Sequence, residues 1–516
     1  MSENIILIGF MGTGKDTIGR ILAENLNLGY LSTDRMIELA EQRSIKEIFE
    51  KEGEEYFRKR EHWVLEKIKG LKNVVIATGG GIVKNEKNRE ILKKAGRVIQ
   101  LYANPDTLLK RIKMDGSRPL VKSKKEFFNL LEQRKGIYDF AEMKIDTTEK
   151  APELVAREII KRLGLKKIDY PDQNESIMIH TKSRVYPVII TFDSDRHLIF
   201  RNKRIFIITN PLVGALYLDD LVKRLKRQDN EVNYLIIPDG EAYKNIKTVE
   251  SIYEYLFKIN FQRQDIILGL GGGVITDIAG FVASTFKRGC KLVYIPTTLL
   301  CQVDAALGGK NGVNTKYGKN MLGTFYQPEC VVCDIKKIMT LPDREFSNGI
   351  AEVIKYGIIS SEGLFRTLKE KKGLIMERDP ASLFRIIKEC VMIKGKIIEE
   401  DETEEKGIRE ILNFGHTIGH IIEKMGRYKR YSHGEAVSIG MVQEICIFNK
   451  NRIPVEVIEL LKGYSLPAEL PGFIKRQDIK GFILQDKKMK REKIRMPIFE
   501  RIGSVKIKEV LCKKFF

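Results

Sequence analysis

The apolar positions of this chain fall first into short blocks closed by glycine and later into long helical stripes. Ile5-Ile-Leu-Ile8 ends at Gly9, and Val74-Val-Ile-Ala77 runs into Gly79-Gly-Gly81, as expected of strands buried on both faces. Between them, apolar residues recur at helical spacing from Lys15 through Leu26. The polar stretch Lys166 to Glu175, which contains Pro171, then interrupts the pattern and predicts a linker. Strand-like runs restart at Val185–Ile190, Arg204–Ile208 and Ile266–Leu268, with a helical stretch from Leu216 to Gln228. Beyond about Leu341 the strand signals fade, and amphipathic segments with few prolines dominate. The predicted architecture is α/β: a parallel-sheet domain over 1–165, a linker over 166–176, a Rossmann-like α/β domain over 177–341 and a mainly helical domain over 342–516.

Composition narrows the class. With 43% hydrophobic and 31% charged residues, the 516-residue chain can bury real cores and cover them. No apolar run reaches membrane-span length, and Met1-Ser-Glu-Asn precedes the first apolar block without a basic region, so a cytoplasmic protein is expected. The seven cysteines lack Cys-x-x-Cys spacing and read as packing residues. The net charge of +21 suits either a nucleic acid or small anionic substrates. Its even spread, interrupted by acidic stretches such as Glu399 to Glu405, favours anionic small molecules and no nucleic-acid partner.

Two glycine loops and one histidine cluster carry the chemistry. In Gly9-Phe-Met-Gly12-Thr13-Gly14-Lys15-Asp16-Thr17 the glycines let backbone amides turn around a phosphate, and Lys15 reaches toward the transferred group. Asp16 stands where a P-loop has a magnesium-binding hydroxyl, and Thr17 lies one place too late to replace it. The second loop, Gly269-Leu-Gly271-Gly272-Gly273, follows a strand and opens a helix, which suits a dinucleotide pyrophosphate or close helix–sheet packing. Three of the six histidines lie in Asn413-Phe-Gly-His416-Thr-Ile-Gly-His420 and His433-Gly-Glu435. Spacing alone makes either His416 or His420 a metal ligand beside His433, and Glu352 is the candidate carboxylate.

Residues 1 to about 165 resemble a shikimate kinase. Besides the P-loop, the matching residues are Asp34, Arg58 in Glu55-Tyr-Phe-Arg58, Gly79-Gly80-Gly81, Arg118 in Ser117-Arg-Pro-Leu120, and Arg134. The resemblance implies that Gly12, Thr13, Gly14, Lys15, Asp16 and Thr17 bind ATP with magnesium. It places Asp34, Arg58, Gly80 and Arg134 on shikimate, and makes Arg118 a lid arginine that steadies the transferring phosphoryl. Ser32 departs from the family, which carries there the first carboxylate of an Asp-x-Asp pair. One carboxylate is thus lost at Ser32 and one gained at Asp16, and the two changes are expected to compensate, with Asp16 holding the magnesium.

Residues 177 to 510 resemble 3-dehydroquinate synthase. The resemblance rests on Pro238-Asp-Gly-Glu241-Ala-Tyr-Lys244, the second glycine loop, Pro296-Thr297-Thr298, Asp304 to Lys310, Lys319-Asn320, Lys355, Lys394, Arg409 and Asp486-Lys487-Lys488 in series with Glu352, His416 and His433. It implies conversion of 3-deoxy-D-arabino-heptulosonate 7-phosphate to 3-dehydroquinate and phosphate, with NAD and a zinc or cobalt ion held by Glu352, His416 and His433. NAD would be held by Glu241, Lys244, Gly271, Gly272, Gly273, Asp277, Thr297, Thr298 and Lys319. Lys310, Asn320, Lys487 and Arg288 would bind the substrate phosphate, with Arg288 reaching across from a partner subunit, which implies a homodimer. Lys394 and Arg409 would hold the carboxylate, while Asp304, Lys355, Asn413 and His420 would contact hydroxyls and relay protons. Two other readings stay open: a metal-dependent polyol dehydrogenase for the second part, and a regulatory P-loop domain for the first. If both resemblances hold, the chain is bifunctional in the route to chorismate, and its two reactions are not consecutive there.

Overall fold

The computed structural model describes residues 4–112, 123–449, 452–474, 479 and 493–511, and its contacts divide the chain into two units. The first holds residues 1–170, 200–243 and 339–342. Its sheet runs in the order Gly29–Ser32, Val74–Ala77, Asn4–Ile8, Gly96–Tyr102, Met143–Asp146, with every pairing parallel. The central Asn4–Ile8 strand is buried along its whole length because helices cover both faces. One face packs Ile5 and Leu7 against Ile18, Leu22 and Ile159, and the other packs Ile6 and Ile8 among Met36, Val64 and Leu65.

That second face also takes in Leu216 from the Pro211–Lys226 helix. The helix lies against Thr33–Glu41, where Arg35 donates to both oxygens of Asp219 at 3.1 and 2.8 Å. Gly214 allows the approach, since a Cβ there would stand 3.2 Å from Leu39 Cδ1. Periodicity marks a helix as amphipathic without saying which neighbour its apolar stripe meets.

The second unit holds residues 171–199, 244–338 and 343–516. Five of its strands lie in the order Asn174–His180, Val185–Thr191, Cys330–Asp334, Lys291–Pro296, Ile266–Gly271, parallel except for the first pair. The strand Asn174–His180 starts inside the stretch read as linker. Ile266–Gly271 is buried throughout and runs into the Gly273–Thr285 helix. Helices Asp343–Ser360, Pro380–Glu400, His416–Met425 and His433–Phe448 dominate the later part.

A hairpin of Lys493–Arg501 with Ser504–Leu511 completes that part and corrects the fading of strand signals expected there. Its Met496, Ile498 and Val510 pack on Ile418, Ile422 and Ile439. The six described cysteines are free, and among the described residues no helix is long and apolar enough to cross a membrane.

Candidate active sites

In the first unit the P-loop joins the Asn4–Ile8 strand to the Lys15–Leu26 helix, with Gly12 and Gly14 at φ 81° and 86°. Those left-handed positions turn the loop back on itself and favour glycine. Thr13 Oγ1 donates to the Phe10 carbonyl at 2.8 Å. Lys15, only 7% exposed, donates to the carbonyls of Gly9 and Phe10 at 3.0 Å each. A buried ammonium held by two carbonyls is poised to exchange them for phosphate oxygens.

Asp16 is exposed on the first turn of the helix and accepts a hydrogen bond from the Tyr30 hydroxyl at 2.9 Å. The Tyr30 ring lies under the Arg20 guanidinium, and its hydroxyl also engages Ser32. Burial, with the adjoining Asp16 charge, pushes the phenol well above its ordinary range, so it remains a donor. Tyr30 therefore joins the two positions that depart from the kinase pattern. Thr17 is exposed on the same turn. Arg118 lies outside the described residues.

Each glycine of Gly79-Gly80-Gly81 admits a different side chain. A Cβ on Gly79 would collide with Asp34 Oδ1, one on Gly80 would stand 3.2 Å from Arg134, and one on Gly81 would collide with the Arg58 guanidinium. Arg134 donates to the Gly80 carbonyl at 2.9 Å, as does Tyr138 at 2.8 Å. Asp34, Arg58, Gly80 and Arg134 are thus brought together by one loop. Glu61, which sequence reasoning missed, accepts from Arg58 at 2.7 Å and is almost fully buried. Burial pushes its carboxyl up to about 7 against the pull of Arg58. Its spacing three residues after Arg58 on one helix was the available signal.

In the second unit the Asp343–Ser360, His416–Met425 and His433–Phe448 helices converge on Glu352. One ligand atom from each of Glu352, His416 and His433 lies within 4.8 Å of the others. Both imidazole Nε2 atoms stand 3.5 Å from Glu352 Oε1. His420 lies outside that donor group, its ring 5.4 Å from His416 and 6.4 Å from His433 between centroids.

Glu352 is 0% exposed and neither carboxylate oxygen makes a well-formed hydrogen bond, although the Lys355 ammonium is paired with it. Burial works to raise its carboxyl, and Lys355 with His416 overcomes this and holds it at about 2. A buried carboxylate with open lone pairs facing two imidazoles suits a divalent cation such as zinc. Burial and Lys355 lower the His416 pKa to about 3, whereas at His433 burial is overcome by Glu352 and Glu423, which raise its pKa to about 9, so ion binding there would release a proton from His433.

Glu423 is a second residue the sequence did not reveal. It stands 3.7 Å from His433 Nδ1 and 3.1 Å from Lys319 Nζ, and so orients the ring from the side away from Glu352.

Beside this centre, Asp304 accepts from Lys394 at 2.7 Å and from the Tyr356 hydroxyl at 2.7 Å. Burial opposes its ionisation, yet Lys394 and Lys355 hold it well below the usual carboxylate range. Arg409 is buried and donates to the carbonyls of Gly308 and Glu402 at 3.1 and 2.6 Å. Lys310 pairs with Glu404, which also stands 3.9 Å from Arg409 Nε.

The acidic stretch around Glu402 is accordingly built into the fold rather than merely solvated. Asp401 is buried and accepts from the backbone amides of Lys406, Ile408 and Arg409. Asn413 is exposed just before His416, Arg288 is exposed with φ 63°, and Lys487 lies outside the described residues.

The glycine loop of the second unit separates two uses of glycine. A Cβ on Gly271 would stand 2.5 Å from Ile275 Cγ1, so that position is required for helix–strand packing. On Gly273 the nearest atom would be Ala305 Cβ at 3.7 Å, which leaves room at the helix start, and no side chain caps its amides. Thr297 is buried and Thr298 Oγ1 accepts from the Cys301 amide at 3.2 Å; a Cβ on Gly272 would meet Thr298. Lys244 pairs with Asp277 and donates to Asn320 at 2.6 Å. Glu241 belongs to the first unit.

The family model for shikimate kinase matches residues 11–164, and those for the N- and C-terminal parts of 3-dehydroquinate synthase match 234–348 and 349–489. A bifunctional shikimate kinase/3-dehydroquinate synthase of Thermotoga maritima is 35% identical over 98% of this chain and 98% of its own. This chain belongs to that bifunctional family.

It is accordingly a shikimate kinase/3-dehydroquinate synthase, an enzyme with both activities in one polypeptide. The 3-dehydroquinate synthase of Thermodesulfovibrio yellowstonii is 41% identical over 64% of this chain and 96% of its own. A 2-epi-5-epi-valiolone synthase of Streptomyces hygroscopicus, solved with NAD+ and Zn2+ bound, is 25% identical, with a TM-score of 0.60 over 65% of this chain and 96% of its own. Neither the regulatory P-loop reading nor the polyol dehydrogenase reading is favoured by these matches.

Proposed function

We propose that the synthase part converts 3-deoxy-D-arabino-heptulosonate 7-phosphate to 3-dehydroquinate and phosphate, and that residues 1–165 transfer the γ-phosphoryl group of ATP to the 3-hydroxyl of shikimate. The observation that carries the first assignment is the convergence of Glu352, His416 and His433 beside the buried cations Lys355, Lys394 and Arg409. That set suits an anionic polyol whose hydroxyl meets a divalent ion. The second rests on the two arginines and Asp34 gathered by Gly79–Gly81, where a Cβ on Gly80 would stand 3.4 Å from the Gly9 carbonyl of the P-loop.

Glu352, His416 and His433 would hold the metal, and the open helix start at Gly273 would receive the NAD pyrophosphate, with Lys244, Asp277, Thr297, Thr298 and Lys319 of the same unit as its further partners; a part for Glu241 rests on the family resemblance alone. When bound, NAD supplies a hydride acceptor that is regenerated within the cycle, and the metal polarises the substrate alcohol and the ketone derived from it. Lys394 and Arg409 orient the substrate carboxylate. Lys310, Asn320 and Lys487 hold the phosphate, with Arg288 contributed by a second subunit of a homodimer. Asp304, Lys355, Asn413 and His420 bind hydroxyls and move protons between them.

The test is to supply the purified chain with the heptulosonate phosphate and follow phosphate release together with nicotinamide absorbance. One phosphate per 3-dehydroquinate with no accumulating NADH is expected; NADH rising in step with turnover would instead make the synthase part a dehydrogenase. His420→Ala is expected to retain its full metal content by atomic emission while losing synthase turnover. A metal-free variant would make His420 a ligand.

In the kinase, we infer that Asp16 replaces the carboxylate absent at Ser32, since Tyr30 ties both positions together. Asp16→Ser is expected to raise the magnesium concentration needed for half-maximal phosphorylation, and Asp16→Ser with Ser32→Asp to restore it. An unchanged magnesium requirement in Asp16→Ser would end the compensation reading.

A further inference from the structure

The His416–Met425 helix begins at Gly415, whose φ of 79° and missing side chain leave the first amides of the helix without a local cap. Glu444 supplies that cap from the neighbouring His433–Phe448 helix. It is 2% exposed, and its Oε2 accepts from the Gly415 amide at 2.7 Å while Oε1 accepts from the Ile418 amide at 3.3 Å. The other buried residues around it on its own helix, Ala436 to Val442, Ile445 and Cys446, are apolar or small. An acidic side chain is costly in such a place unless its oxygens are hydrogen-bonded. Here they are bonded to amides of a helix start whose own N-cap residue, a glycine, has no side chain to offer.

The two helices also touch at backbone distance. A Cβ on Gly440 would fall on the Gly415 carbonyl oxygen, one on Gly415 would stand 2.5 Å from Met441 Cγ, and one on Gly419 3.2 Å from the Ala436 carbonyl oxygen. Each helix opens on a member of the donor cluster, His416 on one and His433 on the other. Whatever fixes the start of one helix against the body of the other therefore fixes the separation of the two imidazoles.

We propose that Glu444 is a positioning residue of the metal centre: by holding the Gly415 and Ile418 amides it sets His416 relative to His433 and so determines how tightly the ion is retained. Glu444 touches none of the three donor side chains, and its effect passes through the helix start alone. The proposal rests on Glu352, His416 and His433 being the metal site.

The experiment measures Zn2+ affinity of the full chain by competition with a chromophoric chelator, for wild type, Glu444→Gln, Glu444→Met and Ile445→Ala. Glu444→Met keeps the volume and removes both acceptors, and is expected to weaken binding by about 10- to 100-fold, the range for residues that orient ligands. Glu444→Gln keeps one acceptor oxygen and should fall between it and wild type. Ile445→Ala, a buried change on the same helix that leaves both hydrogen bonds, controls for general loosening and should retain wild-type affinity.

The far-UV circular dichroism and cooperative thermal melting of each sample, compared with wild type, report that the synthase part is folded. Wild-type affinity in Glu444→Met, or an equal loss in Ile445→Ala, overturns the proposal. If Glu444→Met does not fold, wild-type affinity in Glu444→Gln overturns it. A wild-type chain that binds no zinc would instead refute the metal site itself.

Discussion

Glu352→Ala leaves the enzyme without synthase turnover, a loss on the order of 10³-fold or more, while its kinase turnover stays unchanged. Two effects combine. Glu352 supplies one of three donors, so the ion loses a charged ligand and the alcohol its polarising centre. The substitution also strands Lys355, which is 1% exposed and whose ammonium is kept charged, against burial, by Glu352 first and Asp304 second. Removing one partner of a buried pair typically costs about 3–5 kcal/mol, so a lower melting temperature of the synthase part is expected as well.

Glu352→Gln separates the two effects. It keeps the volume and an acceptor for Lys355 but donates a weaker, neutral oxygen to the metal. Both variants should be measured for bound zinc, for phosphate release from the heptulosonate and for shikimate-dependent ADP formation. A metal-replete Glu352→Ala enzyme with normal phosphate release would show that the convergence of these three side chains has no part in catalysis.

The second large effect is the reciprocal one. Lys15→Met is expected to lower shikimate phosphorylation by about 10²- to 10³-fold, the loss seen when one preorganised donor to a developing negative charge is removed, with synthase turnover unaffected. That factor corresponds to about 2.7–4 kcal/mol of transition-state stabilisation. Lys15 rests on the Gly9 and Phe10 carbonyls, so its replacement removes one hydrogen bond from each, while Thr13 still donates to Phe10, and adds no buried charge. Methionine fills the volume, and the loop glycines keep their turn. ADP formation with saturating shikimate and magnesium decides the matter. Retained turnover would mean that Lys15 serves only to close its own loop.

Taken together, the two variants treat the chain as two catalysts whose failures are independent. An effect of Lys15→Met on the synthase, or of Glu352→Gln on the kinase, would point instead to communication.

Much of the candidate sites is legible in the sequence because it is encoded over short spans. A P-loop, a glycine loop at a helix start and two histidines one helical turn apart are local geometries, and backbone sterics reproduce them wherever the spacing occurs. The same holds for the buried central strand of the first sheet and for the helical stripe after Lys15. The C-terminal hairpin was missed although its signal was present: Ile494, Met496 and Ile498 alternate with Lys493, Arg495 and Pro497, and Gly503 marks the turn. Its alternation was outweighed by the helical pattern before it.

The amino-acid sequence by itself determined the α/β class, the two glycine loops at helix starts, the candidate donors and the family to which they point, since each depends on residue type and short spacing. Only the tertiary structure decided that His416 and not His420 joins Glu352 and His433, and that Glu423 backs one ring while Glu444 holds the other's helix. It alone linked Tyr30 to both Asp16 and Ser32, placed Glu61 behind Arg58 and laid the Pro211–Lys226 helix against Thr33–Glu41. These are contacts between distant segments, made by packing apolar faces and by satisfying buried polar groups. Neither requirement leaves a mark at fixed spacing along the chain.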